Sequence, residues 1–155
     1  MAYFHQVLRP DEVVHYHGHL HWLIYLRGLV LLAIACLIFA LGMSAVVDPN
    51  ARIAFLGLAG LLALWALCAL AVAAIRRGTT EMVVTDRRVI YKAGLISRRT
   101  VEMNISKIET VDVEQGILGR IFGYGTIMIR GTGAGFEPLP GVAHPLALRN
   151  AILVG

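Results

Sequence analysis

Charge is almost missing from the two places where this chain is most hydrophobic, and that absence excludes a good deal. Leu23 to Val47 carries one charged side chain, Arg27, and Ile53 to Ile75 carries none. Neither run holds an acidic residue, a histidine or an internal break. Transporters, proton pumps and intramembrane proteases need such polar machinery at mid-depth. Catalytic signatures are equally scarce. Ser97 and Ser106 have no nearby His or paired acid, and no G-x-S-x-G occurs. Gly131-Thr132-Gly133-Ala134-Gly135 lacks the Lys-Ser/Thr and the strand–loop–helix setting of a phosphate loop, so it reads as a hairpin turn. Asp112 and Glu114 share a strand face, which an exposed sheet surface explains better than acid–base work. Aromatics do not interleave with the basic residues, which argues against a nucleic-acid groove. There are only two cysteines, Cys36 and Cys68, both inside the apolar runs. They read as small lipid- or helix-facing residues, with a disulfide between the runs as the alternative.

What the chain does have is an apolar hairpin. Each run exceeds the roughly 20 apolar residues with which an α-helix crosses a ~30 Å hydrocarbon core. Only Asp48-Pro49-Asn50-Ala51-Arg52 lies between them, and proline seldom continues a helix. Two spanning helices, 23–47 and 53–75, joined by a tight turn satisfy their own backbone groups in lipid. The alternative, a buried pair in a soluble core, would need a domain larger than a 155-residue chain can supply. The first run is too long for a secretory h-region and has no small-residue cleavage site, so it does not read as a removable signal. Gly57, Ala59, Gly60, Ala63, Ala66, Ala69 and Ala73 would let the second helix approach its partner closely. Arg27, about one turn into the first span, snorkels to headgroups in this reading.

The net charge of +4 is unevenly placed. Residues 1–75 balance. From Arg76 to Arg99 seven basic side chains face only Glu81 and Asp86. By the positive-inside rule that end is cytoplasmic, and the hairpin brings the N-terminus to the same side. The expected location is therefore a membrane crossed twice, with both termini cytoplasmic.

Residues 1–22 form an arm with His15, His17, His19 and His21 at every second position. If extended, the arm puts all four imidazoles on one face; if helical, it pairs them at i, i+4. Either arrangement suits Zn²⁺ or Cu²⁺, or a proton sensor near neutral pH. The plainer reading is an interfacial arm with Tyr16, Trp22 and Tyr25 at headgroup depth. After Arg76-Arg77 the periodicity changes to two. Val83 and Val84, Val89 to Tyr91, Val101/Met103/Ile105, Val111/Val113 and Ile127/Ile129 mark short strands separated by glycines. An antiparallel sandwich or small barrel follows. Pro145 and the apolar Leu146, Leu148, Ile152 and Leu153 predict a short closing helix over 144–154.

The run T-D-R-R-V-I-Y-K-A-G-L-I-S-R-R-T-V-E (Thr85 to Glu102) is followed by I-S-K-I-E-T-V-D-V-E-Q-G-I-L-G-R-I-F-G-Y-G-T (Ile105 to Thr126). Together they resemble the bacterial pleckstrin-homology (PH) domains of small membrane proteins. Pro10-Asp11-Glu12 and His21-Trp22 ahead of a two-helix hairpin resemble the same subclass. The resemblance implies a membrane α-helical hairpin followed by an all-β PH-like domain over 76–155. That domain would have two orthogonal antiparallel sheets, about seven strands, and a short C-terminal helix plugging one end. It settles fold further than function.

The expected function is a non-enzymatic, membrane-anchored module that binds protein partners, itself or anionic lipid headgroups, without a cofactor and without nucleic acid. Arg76, Arg77, Arg87, Arg88, Lys92, Arg98 and Arg99 are the headgroup candidates, since basic clusters beside a span attract anionic lipid. Arg76-Arg77 also serve as plain topology signals, and the strand arginines as turn residues. Leu118, Ile121, Phe122 and Tyr124, in a Gly-rich loop with no core of its own, are candidates for contact with a partner or the membrane. The alternative is a metal- or haem-associated accessory subunit of a larger membrane complex, using His15, His17, His19 and His21.

Overall fold

The protein was analysed as a computed structural model that describes residues 12–44, 48–94, 99–133 and 138–154. They divide into two compact units. Trp22–Arg76 form one, and the residues before and after that stretch form the other.

In the first unit a 3-10 turn, Trp22–Tyr25, runs into helix α1, Leu26–Gly42, and helix α2 spans Pro49–Thr79. Both are long and apolar enough to cross a membrane. Little of either is buried, and Leu29, Ile34, Phe39, Leu61 and Trp65 face outward. At 1.5 Å per residue, α2 is about 46 Å long, well over the ~30 Å of a hydrocarbon core. It is longer at both ends than the expected 53–75, and the reasons are local. Asp48 caps it, with its carboxylate accepting from the N–H groups of Asn50 (3.0 Å) and Ala51 (3.4 Å), and Pro49 takes the first helical position, where no N–H is missed. At the other end Arg76 and Arg77 continue the helix, where cations suit the carbonyl end of its dipole. The first helix is shorter than the expected 23–47, and residues 45–47 lie outside the described ones.

The helix seam is made of small residues spaced seven apart: Gly28, Ala35 and Gly42 on α1, and Ala59, Ala66 and Ala73 on α2, all buried. A seven-residue repeat keeps one stripe facing its partner along the pair. A Cβ on Gly28 would lie 2.6 Å from Leu70 Cγ, and one on Gly42 2.8 Å from Phe55 Cβ. Gly57 and Gly60, expected at this seam, would meet nothing within 4 Å. They lie off the seam because they do not share the register of Ala59 and Ala66. Cys36 and Cys68 are both free.

The second unit contains two antiparallel sheets. Strands β1 (Val14–His19), β2 (Glu81–Thr85), β3 (Arg88–Ala93) and β4 (Arg99–Asn104) form the first, in that order. Strands β5 (Ile108–Glu114), β6 (Tyr124–Gly131) and β7 (Leu139–Ala143) form the second. Between β5 and β6 lies a short helix α3 (Ile117–Phe122), and helix α4 (Pro145–Val154) closes the chain. Period-two alternation turns one face of each sheet inward. Met82, Val84 and Val89 meet Val111, Ile127, Ile129, Leu139 and Val142, with Leu148 and Ile152 of α4 fully buried among them. Leu148 and Ile152 are one helical turn apart, so ten residues suffice to plug the core. On β2 and β3, Val83 and Ile90 are buried as well, although they alternate onto the other face. This is why Met82-Val83-Val84 reads as a continuous apolar run.

The described part of the 1–22 arm is built into the domain: Val14–His19 is the edge strand of the first sheet, paired antiparallel with β2. The alternation of His with Tyr16 and Gly18 is a strand signal: Tyr16 packs toward the core and Gly18 is buried. Past the strand, Leu20 bridges Val142, and the His21 N–H donates to Gly141 O at 2.8 Å, joining the two sheets.

Candidate functional site

Thr85-Asp86-Arg87-Arg88 makes the turn between β2 and β3, and each of its side chains has local work. Thr85 Oγ1 accepts from the N–H groups of Arg87 (3.3 Å) and Arg88 (3.1 Å). Its hydroxyl stands 2.9 Å from both Arg88 O and Glu12 Oε1, and its single proton serves one of them at a time. Asp86 holds the incoming chain, accepting from the Val13 N–H at 3.2 Å and donating its own N–H to Val13 O at 3.1 Å. That delivers Glu12, with a side chain only 1% exposed, to Arg88. The guanidinium grips the carboxylate with two bonds, Nε to Oε1 at 2.8 Å and Nη2 to Oε2 at 2.7 Å. Its remaining arm, Nη1, donates to Glu102 Oε2 at 2.8 Å across the sheet. Bidentate charge-assisted pairs of this kind are the strongest hydrogen bonds available to a side chain. The bonds to Glu12 also hold the Arg88 guanidinium still more firmly protonated than usual.

Among the described residues, the basic candidates have different surroundings. Arg76 and Arg77 ride the last turns of α2. Arg87 is half-exposed, 3.5 Å from Asp86. Arg88 is committed to Glu12 and Glu102. Lys92 lies at the other end of β3, about 13 Å from Arg88 at strand spacing, in register with Glu81 and Thr100. Arg99 pairs with Ala93 on β4, and Arg98 lies outside the described residues.

The apolar candidates behave differently. Leu118, Ile121 and Phe122, expected in a loop, lie on helix α3, which two glycines make possible. A Cβ on Gly119 would lie 2.6 Å from Tyr124 O, and Gly123 takes the left-handed conformation (φ 74°) that ends the helix, its N–H bonding Gly119 O. Gln115 locks the turn, donating from Nε2 to Tyr124 O (3.0 Å) and Gly119 O (3.3 Å). On this rigid turn Ile117 is 81% exposed, Ile121 68%, Leu118 59% and Phe122 46%. Arg120 is exposed as well and is the only charged side chain on the helix. Tyr124 does not belong to this surface. It begins β6, partly buried, with its ring 5.6 Å from that of His21.

Two histidines underlie α3. His21 hydrogen-bonds the Phe122 backbone, and the His144 N–H donates to Gly123 O at 2.8 Å. His144 adopts φ 48°, unusual for a side chain with a Cβ, and its carbonyl starts α4 by accepting from Ala147 and Leu148. Burial lowers the His21 pKa below its usual value. The nearby His144, Arg77 and His19 add to that, and the Phe122 bond opposes it.

The family model described as the bacterial PH domain matches residues 23–153, spanning the two apolar helices as well as both sheets after them. The chain belongs to the bacterial PH domain family. No curated protein and no solved structure matches it. A two-sheet fold of four and three strands with a short C-terminal helix agrees with that membership. PH domains are typically non-catalytic modules that bind proteins or lipids.

In this PH domain the histidine ladder is split. His15, His17 and His19 lie on the exposed face of β1, with His15 at a bulge, while His21 turns away to Phe122 and Tyr124. Four imidazoles on one face are therefore not formed, because the strand ends at His19. Among the described residues no three His, Cys, Asp or Glu side chains are grouped to hold a metal ion. Glu12, Glu102, Thr85, Gln115 and His144 escaped the sequence reading. The signal for Glu12 was present: an acid at the head of a strand and an arginine in a turn are both motif residues, yet 76 positions separate them. Nothing in the spacing of a β-sheet domain says which distant acid meets which arginine.

Proposed function

We propose that this PH domain is a non-enzymatic binding module held at the cytoplasmic face of a membrane that its own two helices cross, with both termini on that side. The observation that carries the reading is connectivity. A single residue, Thr80, separates the end of α2 from the start of β2, so the folded domain is tethered within a residue of a helix long enough to span a bilayer. The seven basic residues between Arg76 and Arg99 support the cytoplasmic assignment. Helix α3 supports a contact role, since four large apolar side chains on a six-residue helix are exposed. The partner class is a protein, a second copy of the chain, or lipid. Among the basic candidates, Arg76 and Arg77 remain the set for anionic headgroups, because Arg88 is bound to two acids and Arg87 lies at the end of the β2–β3 hairpin away from the helix.

Membrane fractionation and a paired substitution test this reading. The full chain stays with membranes through alkaline carbonate, and a cysteine placed at Arg87 reacts with an impermeant reagent only after the inner membrane is opened. Ile121→Ser with Phe122→Ser, at unchanged folding, alters the bound protein or lipid complement or the oligomer size after gentle extraction. Release by carbonate, labelling of intact cells, or an unchanged complement and size would each count against the proposal.

A further inference from the structure

We infer that helix α3 is a lipid-inserting wedge, and that its occupant is the interfacial layer of the same bilayer that the chain's own helices cross. This rests on the membrane-held reading above and deepens it. Its basis is where α3 sits within its own unit. His21, whose ring hydrogen-bonds the Phe122 backbone and packs 5.6 Å from the Tyr124 ring, is the last residue before the helical unit begins at Trp22. Arg77, the first residue of the domain after that unit, lies close enough to act on the His21 charge. The point at which the chain leaves the domain is therefore beside the exit of α3, and the point at which it rejoins is within electrostatic reach of the same histidine. If the helical unit is in a bilayer, those two points are at its surface, and so is α3.

The chemistry of α3 suits that surface better than it suits a protein groove or water. Its exposed side chains are Ile117, Leu118, Ile121 and Phe122, with Arg120 placed among them to meet headgroup phosphate. Between Gln115 and Tyr124 there is no acidic residue to be repelled by anionic lipid. The turn needs no ordering on insertion, because Gln115, Gly119 and Gly123 already fix it.

The test uses the full chain with Cys36→Ala and Cys68→Ala, reconstituted into vesicles of phosphatidylcholine and phosphatidylglycerol. An environment-sensitive fluorophore is placed at Ile121→Cys, and separately at Leu118→Cys and at Arg87→Cys as the aqueous reference. The inference expects blue-shifted emission at 121 and 118, a several-fold loss of quenching by iodide, and strong quenching by lipids labelled shallowly on the acyl chain. Position 87 shows none of these. Two labelled positions guard against one that disturbs the turn, and unchanged melting confirms each variant is folded. Shielding from iodide without quenching by lipid would assign α3 to a protein or a second copy. That result overturns the wedge and leaves the binding module standing. Free access of iodide to both positions overturns it too. A chain that fails to enter vesicles at all overturns the membrane-held reading instead.

Discussion

Replacing Arg88 by alanine should cost this protein more than any other single change at its surface motifs. The Glu12 carboxylate is 1% exposed and takes two of its hydrogen bonds from Arg88. With the guanidinium gone, both of those bonds are lost, while Thr85 Oγ1 stays 2.9 Å from the carboxylate and also faces Arg88 O. Removing one member of a buried ion pair strands the other charge in a place water barely reaches, which costs about 3–5 kcal/mol. The arm to Glu102 adds little, since that acid is 40% exposed and its pairing is screened, at up to about 1 kcal/mol. For a domain of roughly 100 residues a loss of 3 kcal/mol lowers Tm by about 12 °C or more. Urea pulse proteolysis of the full chain in micelles reads this directly, because the PH domain becomes cleavable when it unfolds while the apolar helices stay protected. Glu12→Ala alone should cost less, as Arg88 is 17% exposed and keeps Glu102. The double variant should therefore fall well short of the sum of the two single losses. An Arg88→Ala protein within 1 kcal/mol of the parent, or strict additivity in the double variant, would refute the assignment of Arg88 to structure and return it to the lipid-binding candidates.

Three further outcomes follow from the same geometry. The His21 pKa is lowered in the folded state, so acidification protonates the unfolded chain first; stability should be unaffected above the ordinary value of about 6.5 and decline as pH falls below it, and His21→Gln should flatten that decline in a urea series against pH. Gly119→Ala places a methyl 2.6 Å from a backbone oxygen that cannot step aside, so α3 must shift at a cost of about 1–3 kcal/mol, read by the same proteolysis and by accelerated hydrogen exchange over 115–124. Gly28→Val should split the helical seam, since a Cβ there meets Leu70 Cγ at 2.6 Å and its backbone N at 3.2 Å, whereas Gly60→Ala meets nothing and should leave the midpoint of heat aggregation in micelles unchanged.

The sequence revealed those features whose signals are local. Alternation of apolar residues located β2 to β6, and Pro145 with its following leucines located α4, because burial on one face writes a period into adjacent positions. The long apolar runs located the helices by their unbroken length. What stayed hidden depends on pairs far apart in the chain. The histidine ladder looked like a ligand set because its period is that of a strand, and only the pairing with β2 shows that the strand stops before His21. Arg88 looked like its neighbour Arg87, yet one grips the buried Glu12 and the other is a half-exposed neighbour of Asp86. Helix α3 looked like a loop because Gly116, Gly119 and Gly123 are poor helix formers. Their role emerges only from the backbone oxygen beside Gly119 and the left-handed turn at Gly123.

Tethering explains how so small a contact can matter. Burying an Ile, Leu or Phe side chain from water gives about 1.5–3 kcal/mol, and half-inserted side chains give less. Four of them on α3 yield a few kcal/mol, which as a free association would hardly survive the entropy lost on binding. If α2 spans the bilayer as proposed, a domain attached to it through Thr80 does not bind from solution. The bilayer is already present at a high effective concentration, and the same few kcal/mol then decide which face of the domain lies against it. On this view the two ion-paired acids and the plugged core make the domain rigid, the helices set its distance from the membrane, and α3 sets its orientation. On the proposed orientation, the surface left away from the bilayer includes the Arg87 turn, at the end of the β2–β3 hairpin opposite the residue joined to the helix. A protein partner, if one binds, would meet the domain there.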